Sequence, residues 1–513
     1  MPNKSNPMRP FLIAALCGCL LAACRSLPDI SGRPQSLSLP PEQGGRIQQA
    51  WQLTPHRPGE SSVYLLADAH DALVARAVLL AQAERSLDIA YYIWHDDVSG
   101  RMLMAMLQQA ARRGVRVRLL LDDNNTRGTD HLLAALDAEP NLEIRLFNPF
   151  LHRRLRPLGY LTDFPRLNRR MHNKSFTADG KISIVGGRNI GDEYFQVGGE
   201  AGFADLDILA TGSITAEISR DFDRYWNSAS SYAFADIVPE ADAAEGQALL
   251  DYAESDDAPV WQQNREQILN APLFRDLSRG KVNWTKVRAK LVSDDPAKAL
   301  ARGKAESSAA EKLAETLGRP EKEMYIVSPY FVPADDGVAA LADLQQNGVN
   351  VNILTNSLHA TDVAAVHSGY ARYRKPLLQN GIGLYELKSA HALPKSKDRG
   401  LTGSSVTSLH AKTLIADGRK MYVGSFNFDP RSARLNTESG IVIEHQGLVG
   451  AVQRSLLETT PQHAYRVVLN RQNRLQWYEP PPEAAVHNSE PEAGFWKRLG
   501  VKILSMLPIE QLL

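Results

Sequence analysis

Apolar and polar positions follow two alternating patterns from residue 73 onward. Apolar residues recur at helical spacing in two segments, and each segment is followed by a short apolar run rich in β-formers, the first reading LDIAYYIW. Alternation of helix and strand is typical of an α/β layered domain. The predicted elements are a helix over Leu73–Arg85, a strand over Leu87–Trp94, a helix over Gly100–Arg113 and a strand over Val115–Leu121.

The same order of elements occurs a second time. The second set consists of a strand over Met324–Val332, a helix over Gly337–Gly348 and a strand over Val349–Thr355. Tyr92 and Tyr330 stand 238 residues apart, and the paired motif residues described below have the same separation. A constant offset indicates an internal duplication.

The duplication divides the chain. We expect an N-terminal half at residues 61–232 and a C-terminal half at residues 309–480. The segment 233–308 between them is rich in Ala and acidic residues and carries scattered helical signals, which predicts an insertion or lid outside the core.

The N-terminus has the pattern of an export signal. Basic residues precede an apolar run over residues 11–23, which is too short to span a bilayer. The LAAC sequence ending at Cys24 resembles a bacterial lipobox, which implies that residues 1–23 are a signal peptide and that the Cys24 thiol is lipidated. A short uncleaved anchor or a buried apolar N-terminus is the other interpretation. Residues 24–60, rich in Pro, Ser and Gly, are predicted to be a tether.

The C-terminal tail, residues 481–513, ends in a segment with two chemical faces. Trp496, Leu499, Ile503 and Leu507 recur at helical spacing among basic residues. This pattern is typical of an amphipathic helix lying on a membrane surface. Packing of the same helix against the domain is equally compatible with the pattern.

Composition narrows the possible chemistry. Lys+Arg and Asp+Glu both number 58 in 513 residues, so no overall positive charge favours nucleic acid. All three cysteines, Cys17, Cys19 and Cys24, lie near the N-terminus. The rest of the chain can therefore form neither a disulfide nor a thiolate metal site.

Two short motifs carry the strongest chemical signal. HNKSFTAD at 172–179 and HAKTLIAD at 410–417 each read His-x-Lys followed by Asp, and GGRN at 186–189 and GSFN at 424–427 follow them. Residues i and i+2 of a strand share a face, so the His and Lys of each motif project together. Each Asp precedes Gly between two apolar runs, which predicts a type I′ hairpin that brings the Asn of the second piece back towards the His-Lys pair. The residues concerned are His172, Lys174, Asp179, Asn189, His410, Lys412, Asp417 and Asn427.

These paired motifs resemble those of the phospholipase D superfamily. The resemblance implies a duplicated phospholipase D-like fold: two mixed-sheet α/β halves packed about a pseudo-two-fold axis, with one shared active site. The residues support the same expectation, because phosphodiester exchange needs two histidines and each half supplies one. One histidine forms a covalent phosphohistidine, and the other protonates the leaving alkoxide and then deprotonates the incoming alcohol. The resemblance implies His172 as the nucleophile, which leaves His410 as the acid/base.

The remaining motif residues receive supporting roles. The lysines and asparagines, with Ser425 and backbone amides near Gly187, are expected to stabilise charge on the phosphate oxygens. Asp179 and Asp417 belong to the motifs, but their place in the hairpin turns favours a role in shaping the site. Asp205 and Glu438 are candidates to orient the imidazoles. Asp207 is an alternative to Asp205 for the role of orienting an imidazole. No metal or other cofactor is needed, because His and Lys already supply positive charge.

Three further groups of residues allow more than one interpretation. Asp122, Asp123 and Asn124 follow a predicted strand and favour turn formation or bonding behind the site over metal binding. The stretch 152–174 carries six arginines and is either a solvated surface or a phosphate-attracting rim beside the first motif. His367 and Tyr370 either line a lipid pocket or pack in the core.

Wider similarity indicates the substrate. Segments such as YYIWHDDVSGR, VGGRNIGDEYF and VGSFNFDPRSARLNTE resemble the bacterial cardiolipin synthases of the superfamily. The resemblance implies transfer of a phosphatidyl group, from phosphatidylethanolamine or phosphatidylglycerol, to phosphatidylglycerol. Hydrolysis of phospholipid, or less readily of nucleic acid, is the alternative enzyme, and a non-catalytic lipid-binding lipoprotein is the third hypothesis. Lipidation would place the protein at the periplasmic face of a membrane, with Arg25 after the cysteine favouring the outer membrane.

Overall fold

The structure is a computed structural model and describes residues 26–153, 155–197, 202–255, 259–300, 308–389, 406–482 and 484–506. Its N-terminal half alternates strands and helices as predicted. In chain order the elements are α1 (Gly45–Ala50), β1 (Glu60–Leu66), α2 (Ala69–Gln82), β2 (Ser86–Tyr91), α3 (Val98–Arg112), β3 (Arg116–Asp122), α4 (Asp130–Asp137), β4 (Leu142–Phe147), α5 (Arg156–Leu167), β5 (Ser175–Ala178), β6 (Ile182–Gly186), α6 (Asp192–Phe195), β7 (Gly202–Ala204), β8 (Asp207–Gly212), α7 (Ser213–Trp226) and β9 (Ser231–Ala233).

The C-terminal half repeats this order. Between the halves lie α8 (Phe234–Ile237), α9 (Ala243–Glu254), α10 (Pro259–Asn270), α11 (Pro272–Ser278) and β10 (Thr285–Ser293). Then follow α12 (Ala309–Leu317), β11 (Glu323–Val327), α13 (Ala334–Gln346), β12 (Asn350–Asn356), α14 (Ala364–Gln379), β13 (Gly383–Leu387), β14 (Val406–Leu409), β15 (Thr413–Ala416), β16 (Lys420–Gly424), α15 (Pro430–Arg434), β17 (Ser439–Glu444), α16 (Gln446–His463), β18 (Ala464–Leu469), β19 (Leu475–Tyr478), β20 (Val486–His487) and α17 (Phe495–Leu504).

Strand pairing shows the duplication directly. In the N-terminal half the order across the sheet is β9-β4-β3-β2-β5-β6-β8-β1, with β2, β3 and β4 parallel and the other pairs antiparallel. In the C-terminal half it is β18-β13-β12-β11-β15-β16-β17-β10, with β11, β12 and β13 parallel. Each of the eight strands in the N-terminal order therefore has a counterpart in the C-terminal order, and the predicted duplicated α/β fold is confirmed.

Strands β1 and β10 join the two sheets. They pair antiparallel, with Ser61 opposite Val287, so one sheet continues through both halves. An antiparallel pair of equivalent strands is what a two-fold relation produces where its axis crosses a sheet. The expectation that residues 233–308 form an insertion outside the core is therefore wrong for β10, which is the first strand of the C-terminal half. Its charged residues alternate with Val287, Ala289 and Leu291, and this alternation hides the strand because it gives no continuous apolar run.

Residues 26–60 are also not a free tether. Ile47 and Trp51 are fully buried in the N-terminal core. The Ser38 amide and hydroxyl donate to Asp223 of α7, and Arg118 of β3 donates to the Ser36 carbonyl at 2.8 Å. A few well-placed apolar and polar groups thus hold a Pro- and Ser-rich segment against the domain, which average composition does not predict.

Local sequence signals fix the helices next to the site. The Asp68 carboxylate accepts hydrogen bonds from the first amides of α2, and the Asp97 carboxylate accepts one from the Gly100 amide of α3, as N-caps do. Strands β2 and β3 are buried along almost their whole length, as parallel strands covered on both faces must be.

Candidate active site

The two halves exchange backbone contacts on either side of the pseudo-two-fold axis. The His172 amide donates to the Thr437 carbonyl at 2.9 Å, and the His410 amide donates to the Ala204 carbonyl at 2.8 Å. Thr437 immediately precedes Glu438, and Ala204 immediately precedes Asp205. Each motif histidine is therefore anchored beside the acidic residue of the opposite half.

The histidine–carboxylate pairs consequently cross between the halves. Nδ1 of His172 lies 2.8 Å from Oε2 of Glu438, and Nδ1 of His410 lies 2.6 Å from Oδ2 of Asp205. Both carboxylates are buried, and the histidines are only 7% and 6% exposed. Since a carboxylate holds Nδ1 in each ring, Nε2 is the nitrogen without a carboxylate partner and the one available to a phosphate. One shared site therefore needs both halves, because neither half contains a complete pair.

Asp207, the alternative to Asp205, pairs with two arginines and not with a motif histidine. Its Oδ2 lies 2.9 Å from the Arg76 guanidinium in a fully buried ion pair, and the Arg188 guanidinium lies 3.5 Å away. Asp207 therefore stabilises the sheet behind the site.

The motif lysines lie against their own histidines. Nζ of Lys174 donates to the His172 carbonyl at 2.6 Å. Nζ of Lys412 donates to the His410 carbonyl and lies 3.0 and 3.1 Å from the two ring nitrogens of His410. Both lysines are buried, so their positive charges are concentrated at the two imidazoles.

Aromatic rings wall the site. Tyr92 meets the His172 ring edge-to-face with ring centres 4.9 Å apart. Tyr194 and Phe203 lie 5.2 and 5.0 Å from the His410 ring. Sequence reasoning missed Tyr194 and Phe203. The available signal was the position of Tyr194, five residues after Asn189 in the second motif piece.

Burial and mutual repulsion hold the cationic groups close to deprotonation. Burial and the neighbouring Lys412 charge lower the pKa of Lys174 to about 7. Burial lowers the pKa of Lys412 to about 8, although Asp205 and Glu438 oppose the shift. Burial and the two lysines lower the pKa of His172 well below its usual value. The pKa of His410 is also lowered, by burial and Lys412, but Asp205 pulls it back up.

The two orienting carboxylates, Asp205 and Glu438, also have different pKa values. Burial alone would raise the pKa of Asp205, but His410, Lys412 and Arg188 outweigh it and bring that pKa to about 2. Burial raises the pKa of Glu438 to about 7, against the opposing effect of Lys174. Oε1 of Glu438 is buried and has no hydrogen-bond partner among the described residues. Asp205 is thus a firm anion beside His410, whereas Glu438 is close to half-protonated beside His172.

The motif asparagines are not equivalent. Nδ2 of Asn189 donates to the Tyr194 hydroxyl at 3.0 Å, and its Oδ1 accepts from the Ile93 amide at 3.2 Å. Asn427 is buried, and its Oδ1 has no hydrogen-bond partner within the described ranges. Asn189 therefore positions the Tyr194 ring, while the side-chain oxygen of Asn427 is available to a bound substrate.

Asp179 and Asp417 lie in the hairpin turns, away from the imidazoles. The Asp179 carboxylate accepts from the amides of residues 84–86, and the Asp417 carboxylate accepts from those of residues 321–323. Their φ angles of 51° and 54° lie in the left-handed region, and the glycine after each also has positive φ, as a type I′ turn requires. Their inclusion among catalytic groups is therefore corrected to a structural role.

The predicted phosphate contacts of Gly187 and Ser425 are also corrected. The Gly187 amide already donates to the Leu206 carbonyl at 3.2 Å, and a Cβ on Gly187 would lie 2.1 Å from Oδ1 of Asp205. Gly187 is thus needed for the close approach of the orienting carboxylate. The buried Ser425 hydroxyl donates to Oε2 of Glu438 and positions that carboxylate.

The acidic cluster after β3 and the arginine-rich stretch neutralise each other. The Arg170 guanidinium lies 2.8 Å from the Asp122 carboxylate, which also accepts from the Met171 amide next to His172. Asp123 pairs with Arg153, and Arg156 donates to the Asp123 carbonyl at 2.7 Å. A phosphate-attracting rim is therefore wrong for these three arginines, which instead buttress the strand that carries the first motif.

Other predicted groups lie elsewhere. The Tyr370 hydroxyl donates to Glu386, and His367 contacts the Arg374 guanidinium, so both pack in the C-terminal core. Cys24 and its signal lie outside the described residues. Among the described helices, none is both long and apolar enough to cross a membrane.

The sequence and the fold match known proteins. The family described as "Cardiolipin synthase, PLD-like domain" matches residues 77–226 and 313–459, more than half of the chain. The chain therefore belongs to this phospholipase D-like family. It is 46% identical over 465 residues to cardiolipin synthase C of Escherichia coli, covering 90% of this chain and 98% of that one.

More distant relatives agree. A cardiolipin synthase of Listeria welshimeri is 25% identical over 403 residues, covering 78% of this chain and 69% of that one. The crystal structure of a phosphatidylserine synthase from Haemophilus influenzae superimposes with a TM-score of 0.57, covering 88% of this chain and 95% of that one, at 14% identity. That similarity concerns the fold.

Proposed function

We propose that this protein is a phosphatidyltransferase that makes cardiolipin by transferring a phosphatidyl group to phosphatidylglycerol. The observation that carries the proposal is the crossed pair of buried histidines, each held through Nδ1 by a carboxylate of the other half. The similarity to enzymes named cardiolipin synthase supports the substrate. Phosphatidylethanolamine or phosphatidylglycerol serves as the phosphatidyl donor.

The contrast between the two carboxylates supports the roles of the histidines. A nucleophilic imidazole must be neutral, and His172 lies beside a Glu438 whose pKa of about 7 leaves it only partly ionised at neutral pH. A general acid needs a stabilised protonated form, and His410 lies beside an Asp205 that stays ionised. Environments that push two equivalent groups apart in pKa define acid and base. His172 is therefore the nucleophile and His410 the acid/base.

The reaction then proceeds in two balanced steps. Nε2 of His172 attacks phosphorus, the bond from phosphorus to the donor head-group oxygen breaks, and protonated His410 gives that oxygen its proton. In the second step neutral His410 takes the proton of a phosphatidylglycerol hydroxyl, whose oxygen attacks phosphorus and displaces His172. Lys174 and Lys412 stabilise the negative charge on the non-bridging oxygens. The incoming phosphate in turn favours the protonated form of His410, whose pKa is lowered in the empty site.

Two features favour a lipid substrate over nucleic acid. The arginines Arg153, Arg156 and Arg170 are engaged within the fold, as described above. An apolar cavity of about 440 Å³ adjoins the loop that carries Asn427, and its wall includes Leu313, Phe426 and Phe428. Such a cavity suits an acyl chain, whereas a nucleotide would gain little from it.

Burial of the histidines favours transfer over hydrolysis, because a site that excludes water protects the phosphohistidine until the lipid alcohol arrives. The N-terminal lipobox motif supports attachment at the periplasmic face of a membrane, where the substrates lie in the adjacent leaflet.

Incubation with defined vesicles tests the proposal. The purified protein is supplied with phosphatidylglycerol vesicles, with and without phosphatidylethanolamine, and the products are identified by mass spectrometry. Cardiolipin is expected, together with release of the donor head group. Phosphatidic acid as the sole product would refute transfer and establish hydrolysis. The His172→Gln variant is the control for contaminating activity.

A further inference from the structure

Large exposed apolar side chains concentrate on two short helical segments. The first is the start of α5, where Leu155, Leu158 and Leu161 recur every three residues and Leu161 is 83% exposed. The second is α17, where Trp496 is 79% exposed. The remaining members of the two groups are Phe164, also in α5, and Phe495, Ile503 and Met506 on or after α17. We call the two groups together the apolar platform.

The first segment lies over the carboxyl end of β3. The Arg156 guanidinium donates to the carbonyls of Asp123 and Asn124 at 2.7 and 2.8 Å, and the Tyr160 hydroxyl donates to Oδ1 of Asn124 at 3.0 Å. These contacts fix the inner face of α5 and leave its leucines outward. The same end of β3 touches the active site, because Asp122 accepts from the Met171 amide.

The second segment lies over the carboxyl end of β12. Val501 of α17 packs with Leu358, in the loop that follows β12. This end of β12 also touches the active site, because Asn356 exchanges hydrogen bonds of 2.9 Å with the backbone of Leu409, the residue before His410. Strands β3 and β12 are counterparts, so the two segments occupy equivalent places on either side of the pseudo-two-fold axis.

Equivalent places about a two-fold axis lie at the same level along it. We propose that the apolar platform is a two-part docking surface for a phospholipid bilayer, which sets the shared active site against the lipid head groups. The sequence pattern predicts membrane contact for α17 alone. The structure adds α5 and shows that both segments lie next to strands that contact the active site. The exposed Lys497 and Lys502 lie among the apolar groups of α17, and this charge complements anionic phosphatidylglycerol.

The choice of a bilayer as partner rests on the proposed function, whereas the docking itself does not depend on which reaction occurs. Hydrogen–deuterium exchange of the full chain therefore tests docking without turnover. With vesicles of phosphatidylglycerol and phosphatidylethanolamine, amides of residues 155–164 and 495–506 should be protected, while those of α16 should exchange as before. No protection, or protection of one segment alone, would overturn the two-part surface. Protection that rises with protein concentration in the absence of vesicles would overturn it in favour of a second copy of this chain.

Matched variants separate docking from catalysis. Leu161→Glu and Trp496→Glu change exposed side chains, and each should lower the rate on vesicle lipid by roughly tenfold, because one large apolar contact with the membrane is lost. Their rates on a short-chain phospholipid below its micelle concentration should stay at the wild-type level. Leu457→Glu, on a 40% exposed position of α16, is the control and should leave both rates unchanged. Equal losses on both substrates would refute docking, and an inactive wild-type protein with protected segments would refute only the proposed function.

Discussion

The Asp205→Asn variant tests whether His410 is the general acid and His172 the nucleophile. Oδ2 of Asp205 lies 2.6 Å from Nδ1 of His410, and the pair is buried. The asparagine side chain lacks the negative charge that favours protonated His410, so the pKa of His410 falls further. A smaller fraction of His410 is then protonated and able to act as the general acid. A hydrogen bond to a charged group contributes about 1.5–3 kcal/mol, which corresponds to a rate loss of about 10- to 150-fold.

The leaving group reveals which step is affected. An ethanolamine or glycerol alkoxide needs a proton to depart, whereas p-nitrophenolate leaves without one. First-turnover release should therefore fall by the full amount with a natural donor, but only by a few-fold with a phosphatidyl ester of p-nitrophenol. Glu438→Gln, which disturbs the nucleophile His172, should slow both esters.

Asp417→Asn is the matched control, since it changes a motif carboxylate that lies outside the site. It should leave both first-turnover rates near those of the wild type. Equal losses of Asp205→Asn on the two esters would refute the role of His410 as general acid. A Glu438→Gln variant that is slowed only on the natural donor would exchange the two histidine roles.

Three further predictions follow from the site. As pH rises through 7 to 8, kcat/KM should fall because Lys174 and Lys412 lose their protons in the free enzyme. His172 is already neutral at pH 6.5 and does not contribute to this fall. A flat kcat/KM profile from pH 6 to 9 would contradict the prediction. In denaturant unfolding, Asp179→Ala should lower the free energy of unfolding by about 2–4 kcal/mol. It removes a buried carboxylate that accepts from the amides of residues 84–86, whereas the Asp417 turn is exposed and Asp417→Ala should cost less. Loss of activity in a fully stable Asp179→Ala protein would reverse its assignment. Gly187→Ala should reproduce the ester-dependent loss of Asp205→Asn, because its methyl group displaces the Asp205 carboxylate, whereas Gly500→Ala, with no atom within 4 Å of the added carbon, should not.

The sequence predicted those parts of the fold that repeat. The helix and strand periods, the constant offset and the Asp-Gly turns all depend on local chain geometry, and the structure has them in both halves. Asp205 and Glu438 were found as candidates because each follows its motif at a similar distance. Their exchange between the halves was not foreseen, because spacing within one half contains no information on how the halves pack.

Other differences have equally local causes. The charged residues of β10 alternate with Val287, Ala289 and Leu291, and this pattern resembles a solvated segment although it forms the strand at the pseudo-two-fold axis. Ile47 and Trp51 are too sparse to mark a folded segment, yet both are fully buried. The arginine-rich stretch suggested an anion site because its acidic partners, Asp122 and Asp123, lie far away in the chain. In each case a tertiary contact decides the role of the residue.

The central claim is that the halves share one site in which His172 becomes covalently bonded to the phosphorus of a phosphatidyl group. Its most direct test is to treat the His410→Ala variant with a phosphatidyl ester of p-nitrophenol, quench after the first turnover and map the adduct by mass spectrometry. We expect a phosphatidyl group on His172, formed without an acid for the leaving group and held because no base activates the acceptor alcohol. An adduct on any other residue, or release of p-nitrophenolate without an adduct, would contradict the account.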